Sequence, residues 1–349
     1  MFHQLTIQNV AHETPDSVAI TFDVPGDLNG AFDWKPGQYL TLRTEIEGED
    51  LRRSYSIASL PGKPLTVGVK KVEDGKFSTF AQGLKPGDTL QVMPPEGRFT
   101  PRGEKQLVLI AAGSGITPMV SIAASELEQG HDVTLVYGNR MTDSIMFRGA
   151  LDALKDRYTD RFTLIHILSR EPQDVDLLNG RITGEKIAAL GRAGALDLTG
   201  ADGVYLCGPG DMIDDVAATL EGEGVAKDTI HFERFYEDGD APRAPKSAAA
   251  EAAAKQGVTV EVILDGSRRL FEFDEQDDTV LDAAARQGLE LPYSCKGGMC
   301  CTCRCKVEEG SAEMAVNYSL EPWEMEAGFT LGCQARPTSK KLVLDFDAA

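Results

Sequence analysis

Five of the seven cysteines of this chain lie within eleven residues, in the stretch CKGGMCCTCRC from Cys295 to Cys305. Thiols this close in sequence either form disulfides or bind a metal, so any fold must account for them. The first residues, MFHQLTIQNVAHETPD, lack the basic end and apolar core of a secretory signal peptide. We therefore expect a cytoplasmic protein. In a reducing cytosol, clustered thiols more often bind a metal than form disulfides.

The spacing of three of these cysteines indicates which metal centre to expect. Cys295, Cys300 and Cys303 form C-x4-C-x2-C, and Cys333 lies further along the chain in LGCQ. This spacing is typical of a [2Fe–2S] cluster, in which four thiolates converge on two irons. Two glycines at 297–298 let the backbone pass close to such a cluster and present N–H donors to its sulfurs.

Two cysteines of the stretch remain outside this ligand set. Cys301 occupies a position where small residues are usual, and Cys305 begins an alternating strand, CKVEEG. We interpret both as structural thiols. Zinc is the alternative metal, but zinc sites normally show paired C-x2-C motifs and only one such pair is credible here.

Length and charge limit the possible functions. A chain of 349 residues usually contains two or three domains. No apolar run has membrane-spanning length, so no membrane partner is expected. The formal net charge of -20 argues against nucleic-acid binding, which needs a basic surface. The same charge is compatible with a partner that has a basic docking face.

The C-terminal segment has the pattern of a small α+β domain around the cysteines. Residues 258–273 alternate as two strands around a turn at Asp265-Gly266. Residues 279–295 read as a helix that leads into the cysteine loop. Roughly residues 257 to 349 resemble plant-type ferredoxins, and the resemblance implies a β-grasp fold carrying a [2Fe–2S] cluster.

The first hundred residues read as short alternating strands separated by turns, which predicts a small antiparallel β-barrel. One strand carries RRSYSIAS, in which Arg53 could grip a pyrophosphate, Tyr55 could stack on a flat ring and Ser56 could bond a ring nitrogen. A solvated arginine beside a buried tyrosine would give the same pattern. A second stretch, GVKKVEDGKFS, contains a turn whose N–H groups could hold phosphate.

The segment that follows changes to apolar strands alternating with helices, at 106–127, 132–140, 162–172 and 203–221. This alternation indicates an α/β, doubly wound parallel sheet, which binds ligands at the carboxyl ends of its strands. The turn GSGITP is an incomplete G-x-G-x-x-G. The helix that begins near Thr117-Pro118 would still direct its first N–H groups at a phosphate.

Taken in order, RRSYSIAS, GSGITP and CGPG resemble the ferredoxin–NADP reductase superfamily. That resemblance implies a flavin on the barrel and a pyridine nucleotide on the parallel sheet, with Ser56 and Cys207 at catalytic positions. It does not make Cys207 a nucleophile, because no base accompanies it. The implied flavin contacts are Arg53, Tyr55, Ser56, Val69, Lys70, Gly75 and Ser78. The implied nucleotide contacts are Gly113, Gly115, Thr117, Pro118, Cys207, Gly208 and Pro209.

A Ser-Arg pair bears on which nucleotide is used. Ser169 and Arg170, in LSREP, follow an apolar strand where this superfamily places the adenosine ribose. An arginine there can take a 2′-phosphate bidentately, which predicts NADPH over NADH. A solvated arginine is the alternative, and similar pairs also occur in relatives that use NADH.

Nearly the whole chain resembles the reductase subunits that serve bacterial phenylacetyl-CoA epoxidases, through LRRSYSI, IHFERF, LPYSCKGGMC and NYSLEP among others. The resemblance implies that electrons pass from NADPH through FAD, rather than FMN, and the [2Fe–2S] cluster to a di-iron oxygenase or epoxidase component. The alternatives are a reductase for another oxygenase or for a hybrid-cluster protein, and a non-enzymatic redox sensor. A sensor would need no nucleotide site.

These assignments predict a flavin domain at 1–101, a nucleotide domain at 102–236, a linker at 237–256 and a ferredoxin domain at 257–349. The linker begins with charged and proline residues that cannot form a core, and AAAEAAAK within it favours a short helix. We interpret this helix as part of a tether that keeps the cluster near the flavin. A helix docked on one of the domains is the alternative.

The charge of the last segment suggests how an acceptor would dock. Residues 257–349 contain 17 Asp and Glu against 9 Lys and Arg, a net charge of -8. The acidic residues concentrate in FDEQDD, ending at Asp278, and in LEPWEME, ending at Glu326. Lys296, Arg304 and Lys306 lie in or beside the cysteine loop. We therefore predict an acidic rim around a basic centre, which would steer a partner towards the cluster.

Overall fold

The computed structural model describes residues 2–235 and 244–348. These residues belong to two compact units, of which the first ends at Phe235 and the second comprises the remainder. The first unit contains two sheets and the second unit contains a mixed sheet with a small two-stranded one. The charged start of the predicted linker, residues 237–243, lies outside the described residues.

The N-terminal sheet of the first unit is antiparallel, as the alternating strands predicted, with the order β4-β3-β6-β1-β2-β5. Its two edges approach each other through a bridge between Ile57 and Val67, which curls the sheet on itself. Alternate apolar side chains, such as Leu40 and Leu42 on one strand, point inward and are fully buried. The elements are β1 His3–Thr14, β2 Ser17–Asp23, β3 Tyr39–Ile46, β4 Glu49–Ser56, β5 Thr66–Lys70, α1 Lys76–Ala81 and β6 Thr89–Val92.

The second sheet of this unit is parallel throughout, which confirms the predicted doubly wound arrangement, and its order is β11-β10-β7-β8-β9. Its central strands are continuous apolar runs because helices cover both faces. The elements are β7 Gln106–Ala112, α2 Ile116–Gln129, β8 Asp132–Asn139, α3 Arg148–Arg157, β9 Phe162–Leu168, α4 Gly184–Arg192, β10 Gly203–Gly208, α5 Gly210–Gly222 and β11 Ile230–Arg234.

The second unit is built on a five-stranded mixed sheet with the order β13-β12-β18-β14-β16. Strands β12 and β13 form the hairpin predicted around Asp265-Gly266, and β12 also pairs in parallel with β18. The elements are α6 Ala248–Gln256, β12 Val258–Leu264, β13 Ser267–Phe273, α7 Val280–Arg286, β14 Arg304–Glu309, β15 Ala312–Met314, α8 Pro322–Glu326, β16 Phe329–Leu331, β17 Ala335–Pro337 and β18 Lys341–Asp345.

The alanine-rich helix of the predicted linker forms, but it is docked rather than a free tether. Helix α6 begins after Ser247, whose hydroxyl accepts a hydrogen bond from the Ala250 N–H at 3.2 Å. Ala253 and Ala254 pack into the core of the second unit. Alanine is small enough to let a helix lie close against a sheet, so the same residues that favour the helix also allow it to dock.

Candidate functional site

The four cysteines predicted as ligands come together in the second unit as two pairs. Cys295 hydrogen-bonds with Cys300, and Cys303 hydrogen-bonds with Cys333. Three of the four are buried and Cys300 is partly so. Within residues 2–235 and 244–348, no group of three or more His, Cys, Asp or Glu side chains is arranged to hold a single metal ion. Two thiol pairs instead fit a centre with two irons, each bound by two thiolates.

The pairing sets which thiol of each pair loses its proton first. The hydrogen bond from Cys300 lowers the pKa of Cys295, while the pKa of Cys300 is raised well above its ordinary range. In the second pair, the bond from Cys303 lowers the pKa of Cys333, while the pKa of Cys303 is raised. Within each pair, the two thiols therefore differ in the ease with which they give up the proton that metal binding displaces.

The backbone around the pairs supplies the donors that thiolates need. The Gly297 N–H donates to the Cys295 sulfur at 3.3 Å, and the Gly298 N–H lowers the pKa of Cys333 by hydrogen bonding. The Gln334 amide also donates to the Cys333 sulfur, at 3.4 Å. Gly298 has a φ of 75°, a conformation that glycine adopts without strain. These donors and the four thiols, three of them buried, fit a [2Fe–2S] cluster.

The two cysteines outside the pairs make contacts of a structural kind. The Cys301 thiol donates to the Ser319 hydroxyl at 3.0 Å, from a backbone φ of 60°. Cys305 is fully buried on β14, and burial raises the pKa of its thiol. These contacts are compatible with the predicted structural role for both.

The predicted arrangement of an acidic rim around a basic centre is wrong for several of its members. Glu324 is completely buried and accepts a hydrogen bond from Arg304 Nε at 2.9 Å. Asp277 is also buried, in an ion pair with Arg286 at 2.7 Å. Arg304 stacks on the ring of Phe329, 3.5 Å from its centroid, so its guanidinium is not a surface charge. Buried carboxylates were mistaken for surface ones because the sequence does not show their partners.

In the first unit, the predicted flavin strand is β4. Arg53 and Tyr55 are two residues apart and therefore lie on the same face of the strand. The Tyr55 ring packs against Phe77, with 5.6 Å between centroids, and is partly buried. Arg53 donates to the backbone oxygen of Arg52 at 2.8 Å. This places an arginine and an aromatic ring side by side, as a flavin nucleotide would require.

Ser56 lies on the opposite face of β4 and reaches the parallel sheet. Its hydroxyl donates to Glu233 Oε2 at 3.1 Å. Glu233 is on β11, directly beside Cys207 in the parallel register of β10 and β11. The structure thus brings Ser56 and Cys207, predicted from distant motifs, to one carboxyl group where the barrel meets the parallel sheet.

Glu233 was not predicted as a site residue, although the stretch IHFERF that contains it was recognised. Only part of the residue is exposed, and its carboxyl group is surrounded by protein, so burial raises the pKa of Glu233 from 4.5 to about 7. The hydrogen bond from Ser56 opposes that rise. Burial likewise raises the pKa of the Cys207 thiol well above its usual range. Cys207 is therefore a neutral thiol at neutral pH, in agreement with its interpretation as a non-nucleophile.

The second predicted flavin segment is partly structural. The side chain of Val69 is fully buried in the barrel core, so only its backbone can meet a ligand. Lys70 lies at the end of β5, 3.5 Å from Asp16. Gly75 precedes α1, and the Ser78 hydroxyl accepts from the Val72 N–H at 3.0 Å. The turn is formed as expected, but its serine is already bonded within the turn.

The predicted nucleotide turn lies at the carboxyl end of β7. A 3-10 turn, Gly113–Gly115, leads directly into α2, which runs for 14 residues. Thr117 is buried and its hydroxyl donates to Ser114 O at 3.0 Å. Pro118 lies in the first turn of the helix, where its lack of an N–H group removes no intrahelical hydrogen bond. The Ile116 N–H is bonded within the 3-10 turn, to the Gly113 and Ser114 carbonyl oxygens, so this helix end attracts an anion through the positive end of the α2 dipole.

The residues that follow β10 turn towards the same edge of the sheet. Gly208 ends the strand, and Pro209 is the residue before α5. The end of β10 lies next to the end of β7 in the parallel register, where Cys207 pairs with Ala111. The CGPG segment and the Gly113–Gly115 turn therefore lie side by side.

The Ser-Arg pair follows β9, the edge strand on the far side of the sheet from β11, and bonds to residues at the end of the neighbouring strand β8. Ser169 N–H donates to Asn139 O at 3.0 Å, and Arg170 N–H donates to Arg140 O at 2.8 Å. Both arginines are exposed. Arg140 was not predicted as a site residue. Two guanidinium groups at neighbouring strand ends suit an anionic ligand.

None of the helices in the described part of the chain has the length and apolarity that crossing a bilayer requires.

Comparison with known proteins gives three family matches in chain order. Residues 4–100 match the oxidoreductase FAD-binding domain, and residues 109–218 match the oxidoreductase NAD-binding domain. Residues 262–338 match the 2Fe-2S iron-sulfur cluster binding domain. The chain therefore combines domains for a flavin, a nicotinamide nucleotide and an iron–sulfur cluster.

Curated relatives match over almost their whole length. The chain is 47% identical to one of the subunits of the 1,2-phenylacetyl-CoA epoxidase of Escherichia coli K12, over 99% of this chain and 98% of the relative. It is 38% identical to the ferredoxin reductase component of 3-ketosteroid-9-alpha-monooxygenase from Rhodococcus rhodochrous, over 98% and 96%. Among solved structures, phthalate dioxygenase reductase has a TM-score of 0.58 at 21% identity, over 99% of this chain and 98% of that one.

Proposed function

Because the chain belongs to the family of oxygenase reductase components with FAD-binding, NAD-binding and [2Fe–2S] domains, we propose that its electron acceptor is the oxygenase component of a phenylacetyl-CoA epoxidase. We further propose that NADPH is the electron donor. The observation that carries the proposal is the pairing of four thiols in a chain that also has flavin and nucleotide domains and is 47% identical to the epoxidase relative.

The number of electrons that each cofactor transfers explains why all three domains are needed. A nicotinamide supplies two electrons as a hydride and a [2Fe–2S] cluster takes one, so a flavin between them converts the one mode of transfer into the other. The protein supplies position, charge and exclusion of water. Its residues at each site can be assigned to those tasks.

The nucleotide is bound at the carboxyl edge of the parallel sheet. The positive end of the α2 dipole suits a phosphate, and Gly115 packs against the backbone of Cys207, which keeps the two nucleotide segments together. Arg170 and Arg140, at the ends of neighbouring strands, suit the 2′-phosphate that distinguishes NADPH from NADH.

The Ser56–Glu233 pair is able to hold a proton near neutral pH. Ser56 Oγ–H donates to Glu233 Oε2, and the pKa of Glu233 is raised to about 7 by burial. The pair joins the flavin strand to the strand beside Cys207. We assign two roles to the pair. It positions the edges of the flavin and the nicotinamide, and it exchanges a proton between the place where they meet and solvent.

With a cluster bound, the second unit would accept the electrons that leave the flavin. Gly297 and Gly298 donate N–H groups to sulfurs of the thiol pairs, which would stabilise negative charge on the ligands and the cluster. The pairing of the thiols supports Cys295, Cys300, Cys303 and Cys333 as the four residues that would hold the cluster. Cys301 and Cys305 are assigned no part in binding iron.

A second acceptor is supported by one observation. The chain is 38% identical to a reductase component of 3-ketosteroid-9-alpha-monooxygenase, so a hydroxylating oxygenase is the alternative partner. The identity of 47% to the relative from the epoxidase favours the epoxidase.

The test is electron transfer by the purified protein carrying flavin and cluster. NADPH should reduce its flavin and cluster, and addition of the epoxidase oxygenase component with phenylacetyl-CoA should give epoxide and NADPH consumption in equal amounts. The steroid oxygenase component, in the same assay, serves as the comparison acceptor. Normal reduction of ferricyanide with no epoxide formed would contradict the acceptor while leaving the reductase activity intact.

A further inference from the structure

A stretch of the second unit concentrates exposed apolar side chains. Three of the nine large apolar side chains that are exposed in the described residues lie in residues 317–326, here called the docking segment. They are Tyr318 at 37% exposure, Trp323 at 55% and Met325 at 43%. Tryptophan is rarely left this exposed without a partner, and it is the residue type most enriched at binding hot spots.

The start of the docking segment lies directly against the loop that carries the paired thiols. Tyr318 N–H donates to Gly298 O at 3.1 Å, and the Ser319 hydroxyl donates to the same oxygen at 3.2 Å. The Cys301 thiol donates in turn to the Ser319 hydroxyl. A protein bound on the exposed Tyr318 would therefore be separated from the cluster loop by one layer of backbone.

Glu321 and Glu324, on the same short helix and its N-cap, fix the position of the exposed Trp323. Glu324, on the inner face of α8, is fully buried on Arg304, and its other oxygen accepts from the Glu321 N–H at 3.0 Å. Trp323 Nε1–H donates to Glu321 Oε2 at 2.7 Å, which orients the indole ring. Because the side chain is already ordered, binding on it loses little conformational entropy.

The charge around the apolar residues indicates the partner's chemistry. Glu321 and Glu326 are exposed on either side of Trp323 and Met325, and the segment from 257 to 349 has a net charge of -8. An apolar centre with a polar rim is the usual anatomy of a protein interface. A complementary partner would present an apolar pocket bordered by Lys or Arg.

We propose that the docking segment, with Trp323 at its centre, is the surface on which the electron-accepting oxygenase component binds. The inference rests on the proposed function, because it takes the acceptor from there. Each docking event passes one electron from the reduced cluster to the acceptor, so the cluster is oxidised and the acceptor is reduced by that electron. The transfer makes and breaks no covalent bond.

The test uses the full-length protein carrying flavin and cluster, with Trp323→Ala as the variant and Leu270→Ala as the matched control. Leu270 is 67% exposed on β13, the edge strand opposite β16, against which α8 packs. The equilibrium dissociation constant for the epoxidase oxygenase component is measured for each protein. Trp323→Ala should raise it about tenfold or more, as removal of a hot-spot tryptophan does, and Leu270→Ala should leave it unchanged.

Two further measurements separate docking from other effects of the substitution. The rate of cluster reduction by NADPH, measured without acceptor, should be the same in Trp323→Ala and in the wild type. Ferricyanide reduction should be unchanged as well. Trp323→Phe should restore a good part of the affinity, since a large ring still fills the pocket, whereas a general loss of folding would not be corrected by it.

The remaining outcomes each overturn the proposal in a recognisable way. Slower cluster reduction in Trp323→Ala would mean that the segment receives the chain's own flavin unit. A wild-type dimer that becomes a monomer in the variant would mean that a second copy covers it. Equal affinity of the variant and wild type would place the acceptor elsewhere. If the wild type itself fails to bind the oxygenase component, the proposed acceptor is wrong, and the docking proposal fails with it.

Discussion

Gly115→Ala tests whether the nucleotide turn and the CGPG segment act as one site. A Cβ added at Gly115 would lie inside the contact radius of the Cys207 carbonyl oxygen, 2.5 Å from the carbonyl carbon and 3.0 Å from Gly208 N. All three atoms are backbone, so no side chain can rotate away. The start of α2 and the end of β10 would have to move apart.

The size of the effect can be worked from those distances. Non-bonded carbon atoms pack at about 3.5–4.0 Å, so relief of the contact needs a displacement of about 1 Å. Overpacking of this kind destabilises a protein by about 1–3 kcal/mol. A misplacement of about 1 Å in a reacting pair can slow a reaction by about 100-fold. We therefore expect Gly115→Ala to slow flavin reduction by NADPH at least about tenfold, with a lower melting temperature for the first unit.

Gly149→Ala, in helix α3 of the same unit, is the control because Gly149 belongs to neither nucleotide segment. No atom lies within 4 Å of a Cβ added there, so the added methyl group meets no backbone. Both variants are mixed with NADPH in an anaerobic stopped-flow experiment that follows flavin absorbance, and cluster content is checked from the iron–sulfur spectrum. Flavin reduction in Gly115→Ala within twofold of wild type, or equal slowing in Gly149→Ala, would refute the reasoning.

Three further predictions follow from the site. Cys300→Ala should abolish the iron–sulfur spectrum yet leave flavin reduction by NADPH intact, whereas Cys301→Ala should keep full iron content. Loss of the iron–sulfur spectrum in Cys301→Ala would show that the ligand was misassigned. Arg170→Ala should raise the KM for NADPH about tenfold and leave the KM for NADH nearly unchanged, and equal changes would exclude a 2′-phosphate contact. The folded chain holds a proton on Glu233 up to pH about 7, whereas the unfolded chain releases it near 4.5, so ionisation lowers stability across that interval. The melting temperature of Glu233→Gln relative to wild type should therefore rise between pH 5 and 8, and a difference independent of pH would contradict the raised pKa.

The three sheets and the cluster loop were predictable because their determinants are local. Alternating apolar residues specify a half-buried strand, and continuous apolar runs between helices specify a parallel sheet. The spacing of Cys295, Cys300 and Cys303 lies within nine residues, so one loop determines where those three thiols can go. The docked position of α6 was less predictable, because alanines that favour a helix in isolation also suit a helix packed on a sheet.

The candidate site was predictable in pieces, and its assembly was not. Ser56 and Cys207 were identified from their motifs, but the carboxyl group that joins them was missed. Glu233 lies 177 residues from Ser56 along the chain, and its pKa depends on burial between two sheets. No local pattern distinguishes it from the many solvated glutamates of a chain this acidic.

The order of the domains, the kind of cluster and the four thiols that we propose as its ligands follow from the sequence alone. Each depends on spacing along one stretch of chain or on a motif with its own backbone geometry. Only the tertiary structure decided which charges are internal. Glu324 and Glu326 are two residues apart in LEPWEME, yet one is buried on Arg304 and the other is exposed. Burial is set by the face of α8 that packs against the sheet, and that choice depends on the partners each side chain meets across the fold.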